Sequence, residues 1–355
     1  MTKKWSSRLT FFAFVVLMVG LGSNDSLRGI FSTIFQEHFS LTTTQLGLIV
    51  TASYIGNLVF LLVGGNLSTR FSKKRVLQVL ILIWMAALAL FAFTSNYTVL
   101  LIGMALALGS STLLNTTMNL ITPLLFATAP GFFVNFLFFT QEIGTSGSQY
   151  ILGSHADGFA FWQHTNLVLL ILGAVAFVLL LFCNVPEEAA APADAPAQKG
   201  GYDWRIIVPY VLVFGFYFIA EHGVMNWMVA YGVDGLGLPQ ASAAKYLSVF
   251  FGGMMIGRLC LSPLVDKLGA LKSLAAFGGV SCVLYLIGSL GGAVTMPVWA
   301  ISGLSFSILY PTLVMSIRLY FPAQQVSGAA GTILSIASLA DILFNVGFGR
   351  LVDTL

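Results

Sequence analysis

The chain alternates long apolar runs with short polar interruptions, and the runs have membrane length. Eleven of them read as helices, at residues 9–32, 44–66, 75–94, 97–121, 131–153, 166–184, 206–231, 243–264, 271–291, 295–318 and 327–351. A helix needs about 20 apolar residues to cross the hydrocarbon layer. The polar interruptions carry a repeated element. Its clearest copy is Leu264-Val265-Asp266-Lys267-Leu268-Gly269, running on to Lys272. A second runs from Gly65-Asn66-Leu67-Ser68-Thr69-Arg70-Phe71-Ser72 into Lys73-Lys74-Arg75. Fainter copies are Gly153-Ser154-His155-Ala156-Asp157 and Gly349-Arg350-Leu351-Val352-Asp353. Their first positions, 65, 153, 262 and 349, stand 88, 109 and 87 residues apart. The outer intervals match, and each holds about three spans with their loops. The middle interval is longer by roughly the length of a Pro/Ala/Glu-rich stretch near residues 185–203. The pattern predicts an all-α integral membrane protein of four three-helix units. They form an N-terminal six-helix half at 1–184, a linker at 185–204 and a C-terminal half at 205–355. The scheme demands a twelfth span. The second half holds five, and the chain stops at Asp353-Thr354-Leu355, so a truncated chain is expected.

Composition removes the soluble alternatives. Of 355 residues, 57% are hydrophobic and 8% charged, against about 25% charged in soluble domains. Mean hydropathy is +0.91. A net charge of +3, from 16 basic and 13 acidic residues, is too balanced to suggest a nucleic-acid partner. Cys183, Cys260 and Cys282 lie in apolar stretches without redox or metal spacing and read as packing residues. The four histidines show no ligand spacing either. Neither a phosphate-binding Gly loop with Lys nor a Ser/His/Asp array is present, so no enzyme, cofactor, metal or nucleotide-driven pump is expected.

The basic residues give an orientation. Lys3, Lys4 and Arg8 precede the first span, which is expected to remain as a helix rather than be cleaved. Arg70, Lys73, Lys74 and Arg75 follow the second, Lys199 and Arg205 lie in the linker, and Lys267 and Lys272 follow the eighth. In alternating topology all of these share one side, which the positive-inside rule makes cytoplasmic. A multi-pass protein of the plasma (inner) membrane is expected, with the N-terminus and central linker in the cytoplasm. The linker, Pro186-Glu187-Glu188 through Lys199-Gly200-Gly201, has little to bury and reads as a tether. It serves either as a hinge between rocking halves or as a plain connection.

This layout resembles the major facilitator superfamily, whose loop motif between helices 2 and 3, echoed between 8 and 9, is similar to the repeated element. An acid at the motif's fifth position can cap a neighbouring helix and hold a basic loop. Here Thr69 stands where Asp is usual and Ser72 where Gly is usual, whereas the later copy keeps Asp266 and Gly269. Asn24-Asp25-Ser26-Leu27, Asn115-Thr116-Thr117-Met118-Asn119, Glu221-His222-Gly223 with Trp227 and Tyr231, and Tyr310-Pro311-Thr312-Leu313 resemble the fucose:proton symporter group. That resemblance implies the major facilitator fold, two six-helix halves built from inverted three-helix repeats. It also implies alternating access and a small polar solute moved with protons. Sugar–proton members carry a carboxylate in span 4; this chain has Asn115 there and a carboxylate in span 5, Glu142.

Ionisable groups within the spans are the strongest site candidates, because a charge at mid-bilayer costs about 2.5–3.5 kcal/mol. They are Asp25, Arg28, Glu142, Glu221, His222, Arg258 and Asp341. Asp25, in the polar patch Ser23-Asn24-Asp25-Ser26, leads as a proton site, or else forms a structural pair with Arg28 three residues on. Glu142 sits in the small, polar run Thr140–Gln149, as a proton or solute ligand or as a partner of Arg258. Glu221 is a third coupling candidate. Trp227 offers a flat apolar face and an N–H donor to a sugar, or else belongs with His222 to an interfacial belt. Arg258 and Asp341, in equivalent spans 8 and 11, are expected to pair, directly or through Glu142, with Asp266 and Arg70 latching the loops. Asn24, Arg28, Asn115, Asn119, Asn135, Gln141, Gln149 and Asn226 complete the candidate solute contacts. Clustered Phe132, Phe133, Phe136, Phe138 and Phe139 read as lipid-facing or packed.

Two functions remain open on these residues. One is a proton-coupled transporter of a sugar or related compound, with sodium able to replace the proton because carboxylates serve either ion. The other is a proton-driven exporter of drugs, lipids or amphipathic metabolites. In both readings the partners are a small molecule, a coupling ion and the bilayer, and the protein acts as a monomer.

Overall fold

Lipid offers no hydrogen bonds, so an apolar run must satisfy its backbone internally, and a helix is the local way to do so. The computed structural model describes residues 3–126, 130–186, 203–317, 319–321 and 323–354. Most of the linker, 187–202, lies outside the described residues. The long helices are α1 (Lys3–Ile30), α3 (Thr43–Arg70), α4 (Lys73–Phe93), α5 (Tyr97–Leu125), α6 (Pro130–Gly153), α7 (Phe159–Phe182), α8 (Trp204–Ala230), α9 (Gln240–Leu268), α10 (Ala270–Leu290) and α14 (Ala323–Thr354). A short α2 (Ser32–Phe39) continues α1, and a π-helical turn at Tyr231–Gly235 ends α8. Three pieces, α11 (Met296–Ile301), α12 (Gly303–Phe306) and α13 (Leu309–Ile317), make the tenth span. Among the described residues nine stretches are long and apolar enough to cross a bilayer.

Local chemistry sets the boundaries. α2 stops where Ser40 turns left-handed, at φ 52° and ψ 49°. Thr42 and Gln45 then open α3 as a reciprocal capping box: Gln45 N–H donates to Thr42 Oγ1 at 3.2 Å and Thr42 N–H to Gln45 Oε1 at 2.9 Å. Asn96 caps α5 by accepting from Val99 N–H at 3.2 Å. The tenth span was expected to be continuous, but serine hydroxyls interrupt it. Ser302, Ser305 and Ser307 donate to the carbonyls of Trp299, Ser302 and Leu304, three residues back, at 2.6, 2.9 and 2.7 Å. Such back-bonding competes with the helix ladder and bends it. Pro311 also lacks an N–H for the ladder.

The helices cluster into two compact units. The first comprises Met1–Leu21, Ala52–Gln141 and Trp162–Asp203; the second comprises Gly22–Thr51, Glu142–Phe161 and Trp204–Leu355. In the first unit fully buried Trp84 of α4 lies against Gly20 of α1 and Gly173 of α7, and a Cβ on Gly56 of α3 would strike the Ala105 carbonyl of α5. Lys74 Nζ closes α7 by donating to the carbonyls of Leu181 and Cys183 at 2.9 and 2.7 Å. The second unit repeats the crossing at Gly56 with different partners, where a Cβ on Gly303 of α12 would strike the Phe250 carbonyl of α9. Close backbone approach through small residues is how helices gain contact in lipid.

The second unit also gathers the C-terminal-side ends of α1 and α6 and the start of α3 against α8, α9 and α14. Gln240 Nε2 donates to the Ile30 carbonyl at 2.6 Å. Ser146 and Ser248 bond each other's carbonyls at 2.9 and 2.8 Å. A Cβ on Gly29 would strike the Met225 carbonyl. The compact units therefore cut across the sequence halves.

Candidate functional site

Two side-chain networks tie polar groups of the long helices together. The first is neutral and belongs to the first unit. Asn119 Nδ2 donates to Asn115 Oδ1 at 2.6 Å, and Asn115 Nδ2 donates to Gln141 Oε1, also at 2.6 Å. Asn115 and Asn119 lie one turn apart on α5, so they share a face. Three side chains expected to touch the solute thus form one amide chain between α5 and α6. The side chain of Asn135 lies outside the described residues.

The second network is charged and belongs to the second unit. Arg258 Nη1 of α9 donates to Glu142 Oε1 of α6 at 2.6 Å. His222 Nδ1 of α8 meets Asp341 Oδ2 of α14 at 2.7 Å. Asn345, one turn beyond Asp341, donates its Nδ2 to Asp341 Oδ1 at 3.2 Å and accepts from Trp227 Nε1 at 3.0 Å. Tyr217, Glu221 and Arg258 act electrostatically on one another, and Glu221 also acts on Glu142 and His222. From α1, buried Arg28 reaches Met225 Sδ at 3.8 Å and acts on His222. Ser23 and Thr145 bind α1 to α6 through the carbonyls of Gly144 and Gly22 at 3.3 and 3.2 Å. That contact places the Asn24–Asp25 patch beside the Glu142 run; Asn24 is buried and Asp25 partly exposed. Asn226 is buried in α8.

Arg258 and Asp341, expected to pair directly or through Glu142, take different partners among the described residues: Arg258 takes Glu142, and Asp341 takes His222. His222 is therefore not an isolated interfacial residue. Trp227 is buried with its N–H on Asn345, so the donor expected to serve a sugar is engaged within the protein. The side chains of Asp266 and Arg70, expected to latch the loops, lie outside the described residues.

The α6 face adds a further feature. Glu142, Ser146 and Gln149 recur at helical spacing and share one side. Gln149 is fully buried, and among the described residues neither of its amide atoms meets a hydrogen-bond partner; Glu142 Oε2 has none there either. Buried amides are normally bonded, because leaving one unmade costs about 1–3 kcal/mol. Asn345, which ties Asp341 to Trp227, was missed. Its signal was the i, i+4 spacing of Asp341 and Asn345 inside an otherwise apolar helix. A larger cavity of about 810 Å³ lies elsewhere in the unit, among α8, α10 and α13. Its walls are apolar, including Val213, Phe216, Leu274, Leu286 and Leu309.

Ten long helices and the ion pairs among them, in the described residues, agree with the family comparison, in which the model of the Major Facilitator Superfamily matches residues 10–353. The chain belongs to the major facilitator superfamily. It is a multi-pass membrane transporter and not an enzyme. It is similar to the L-fucose-proton symporter of Escherichia coli (strain K12), at 24% identity over 333 residues, covering 81% of this chain and 75% of that protein. It is also similar to a glucose/galactose transporter of Brucella abortus (strain 2308), at 27% identity over 343 residues, covering 89% of this chain and 81% of that protein. Among solved structures, the D-xylose-proton symporter shares the fold with a TM-score of 0.71 at 16% identity, over 97% of this chain and 89% of that one.

Proposed function

We propose that this superfamily member is a proton-coupled transporter of a sugar or a related small polar solute, working by alternating access between two six-helix halves. The observation that carries the reading is the charged network of the second unit: acids and bases from α6, α8, α9 and α14 meet in pairs inside the bilayer. Buried ionisable groups are costly and mark ion pathways. The sugar class is supported by the amide chain Asn119–Asn115–Gln141, by unbonded Gln149, and by relatives named for fucose, glucose and galactose. Amides offer both donors and acceptors, which is what a hydroxyl-covered solute requires.

In this reading Asp25, Glu142 and Glu221 are the coupling carboxylates, and Asn24, Arg28, Asn115, Asn119, Gln141, Gln149 and Asn226 contact the solute. Basic loops and N-terminus face the cytoplasm. Protons moving inward supply about 2.3 kcal/mol per charge per 100 mV. The apolar cavity among α8, α10 and α13 favours a second reading, export of amphipathic compounds.

Proteoliposomes holding the protein and challenged with L-fucose, D-glucose and D-galactose test the proposal. Sugar accumulation that follows an imposed inward proton gradient supports symport. Amphipathic dyes driven out by the same gradient, with no sugar moved, would replace it by export.

A further inference from the structure

The two ion pairs of the second unit differ in what a proton does to them. Glu142 faces Arg258, whose guanidinium stays charged, so that pair is neutral with no proton added. Asp341 faces His222, the side chain whose charge changes between about pH 5 and 8. With a neutral imidazole donating from Nδ1 to the carboxylate, the His222–Asp341 pair carries one negative charge. A proton on the imidazole makes it neutral. Asp341 is 1% exposed while His222 keeps 25%, so the acid is sealed and the base keeps an exposed edge. Phe218 stacks on the imidazole face, with ring centroids 5.5 Å apart and 8° between planes.

Charged groups acting on His222 include Asp341 from α14, Glu221 from α8 and Arg28 from α1, of both signs. α3 reaches this seam through Gly47, beside Trp227 and Asn345. An unprotonated pair cut off from water would leave a net charge in a low dielectric, at a cost of several kcal/mol. The protonated pair avoids that cost.

We propose that His222 and Asp341 form a reversible proton-binding site on the α8–α14 seam, and that this site couples protons to transport. The coupling role, though not the proton binding, rests on the proton-driven reading above. Asn345 carries the charge state along the seam: it donates to Asp341 while holding the Trp227 N–H, so α8 and α14 are joined at two levels. The proton enters at the exposed imidazole edge, the pair becomes neutral and closes, and release follows when water returns.

Histidine nitrogen NMR of the whole protein tests the site without any solute. The His222 signal is assigned by its loss in His222→Asn, which keeps a donor near Nδ1. It is expected to titrate reversibly, and Asp341→Asn is expected to move its midpoint by about one unit or more. A His222 signal that does not titrate, or that ignores Asp341→Asn, overturns the proposal. In proteoliposomes with a sugar that the wild type accumulates, His222→Asn is expected to keep sugar exchange and lose proton-driven accumulation. Exchange retained with wild-type accumulation overturns the coupling role. Should the wild type move no protons with any sugar, the symport reading fails, and the titration still decides the proton site.

Discussion

The amide chain of the first unit and the ion pairs of the second solve one problem in two ways. Each places polar side chains where lipid would otherwise demand apolar ones. Asn119, Asn115 and Gln141 bond one another without any charge, at 2.6 Å. Their cost of burial is that of amides, and it does not change with pH. Glu142–Arg258 and His222–Asp341 carry charge, so their cost depends on who holds a proton and whether water is present. A neutral network can recognise hydroxyls in any conformation of the protein. A charged one can make a conformation depend on an ion. In the proposed symport, the difference divides the labour into recognition and coupling.

The comparison is broken most severely by removing one charge. Arg258→Ala leaves Glu142 facing lipid and protein without its cation, and about 3 kcal/mol of stability is expected to be lost. A thermal melt in detergent measures it, and Glu142→Gln added to Arg258→Ala is expected to recover much of the loss, as a double-mutant cycle reads directly. The neutral network is more forgiving. Asn115→Ala deletes the middle of the amide chain and is expected to raise the sugar KM about tenfold, near 1.4 kcal/mol, with the number of protons per sugar unchanged. Asn119→Ala removes only the chain's end and is expected to cost about 0.5–1 kcal/mol in apparent sugar affinity. If Asn119→Ala proved more damaging than Asn115→Ala, the amide chain would not be the recognition element.

Much of the fold was legible because lipid simplifies the code. Ten of the eleven apolar runs became single long helices among the described residues, and the crossings at Gly56–Ala105 and Gly303–Phe250 match as the repeat does. The departures in the loop motif were also visible, and the structure gives their physical meaning. Gly269 adopts φ 82° and ψ 156°, a region closed to side chains, whereas Ser72 at φ −58° caps α4 through Arg75 N–H at 3.4 Å. The broken tenth span was less readable, because serine back-bonding depends on rotamers that composition does not reveal. Pairing was the least legible feature. Sequence shows that α8, α9 and α14 each carry a charge and offered Glu142 as a partner of Arg258, while equivalence of spans suggested Arg258 with Asp341, directly or through Glu142. Partner choice depends on helix rotation and depth, and those put Asp341 beside His222 and Glu142 beside Arg258.

The most direct test of the division of labour is the proton-to-sugar ratio in proteoliposomes, measured for wild type, Asn115→Ala and Glu142→Gln beside sugar exchange. The account predicts solute-driven proton uptake by the wild type. It predicts an unchanged ratio at higher sugar concentration for Asn115→Ala, and a lowered or lost ratio with exchange retained for Glu142→Gln. A ratio altered by Asn115→Ala and untouched by Glu142→Gln would contradict it.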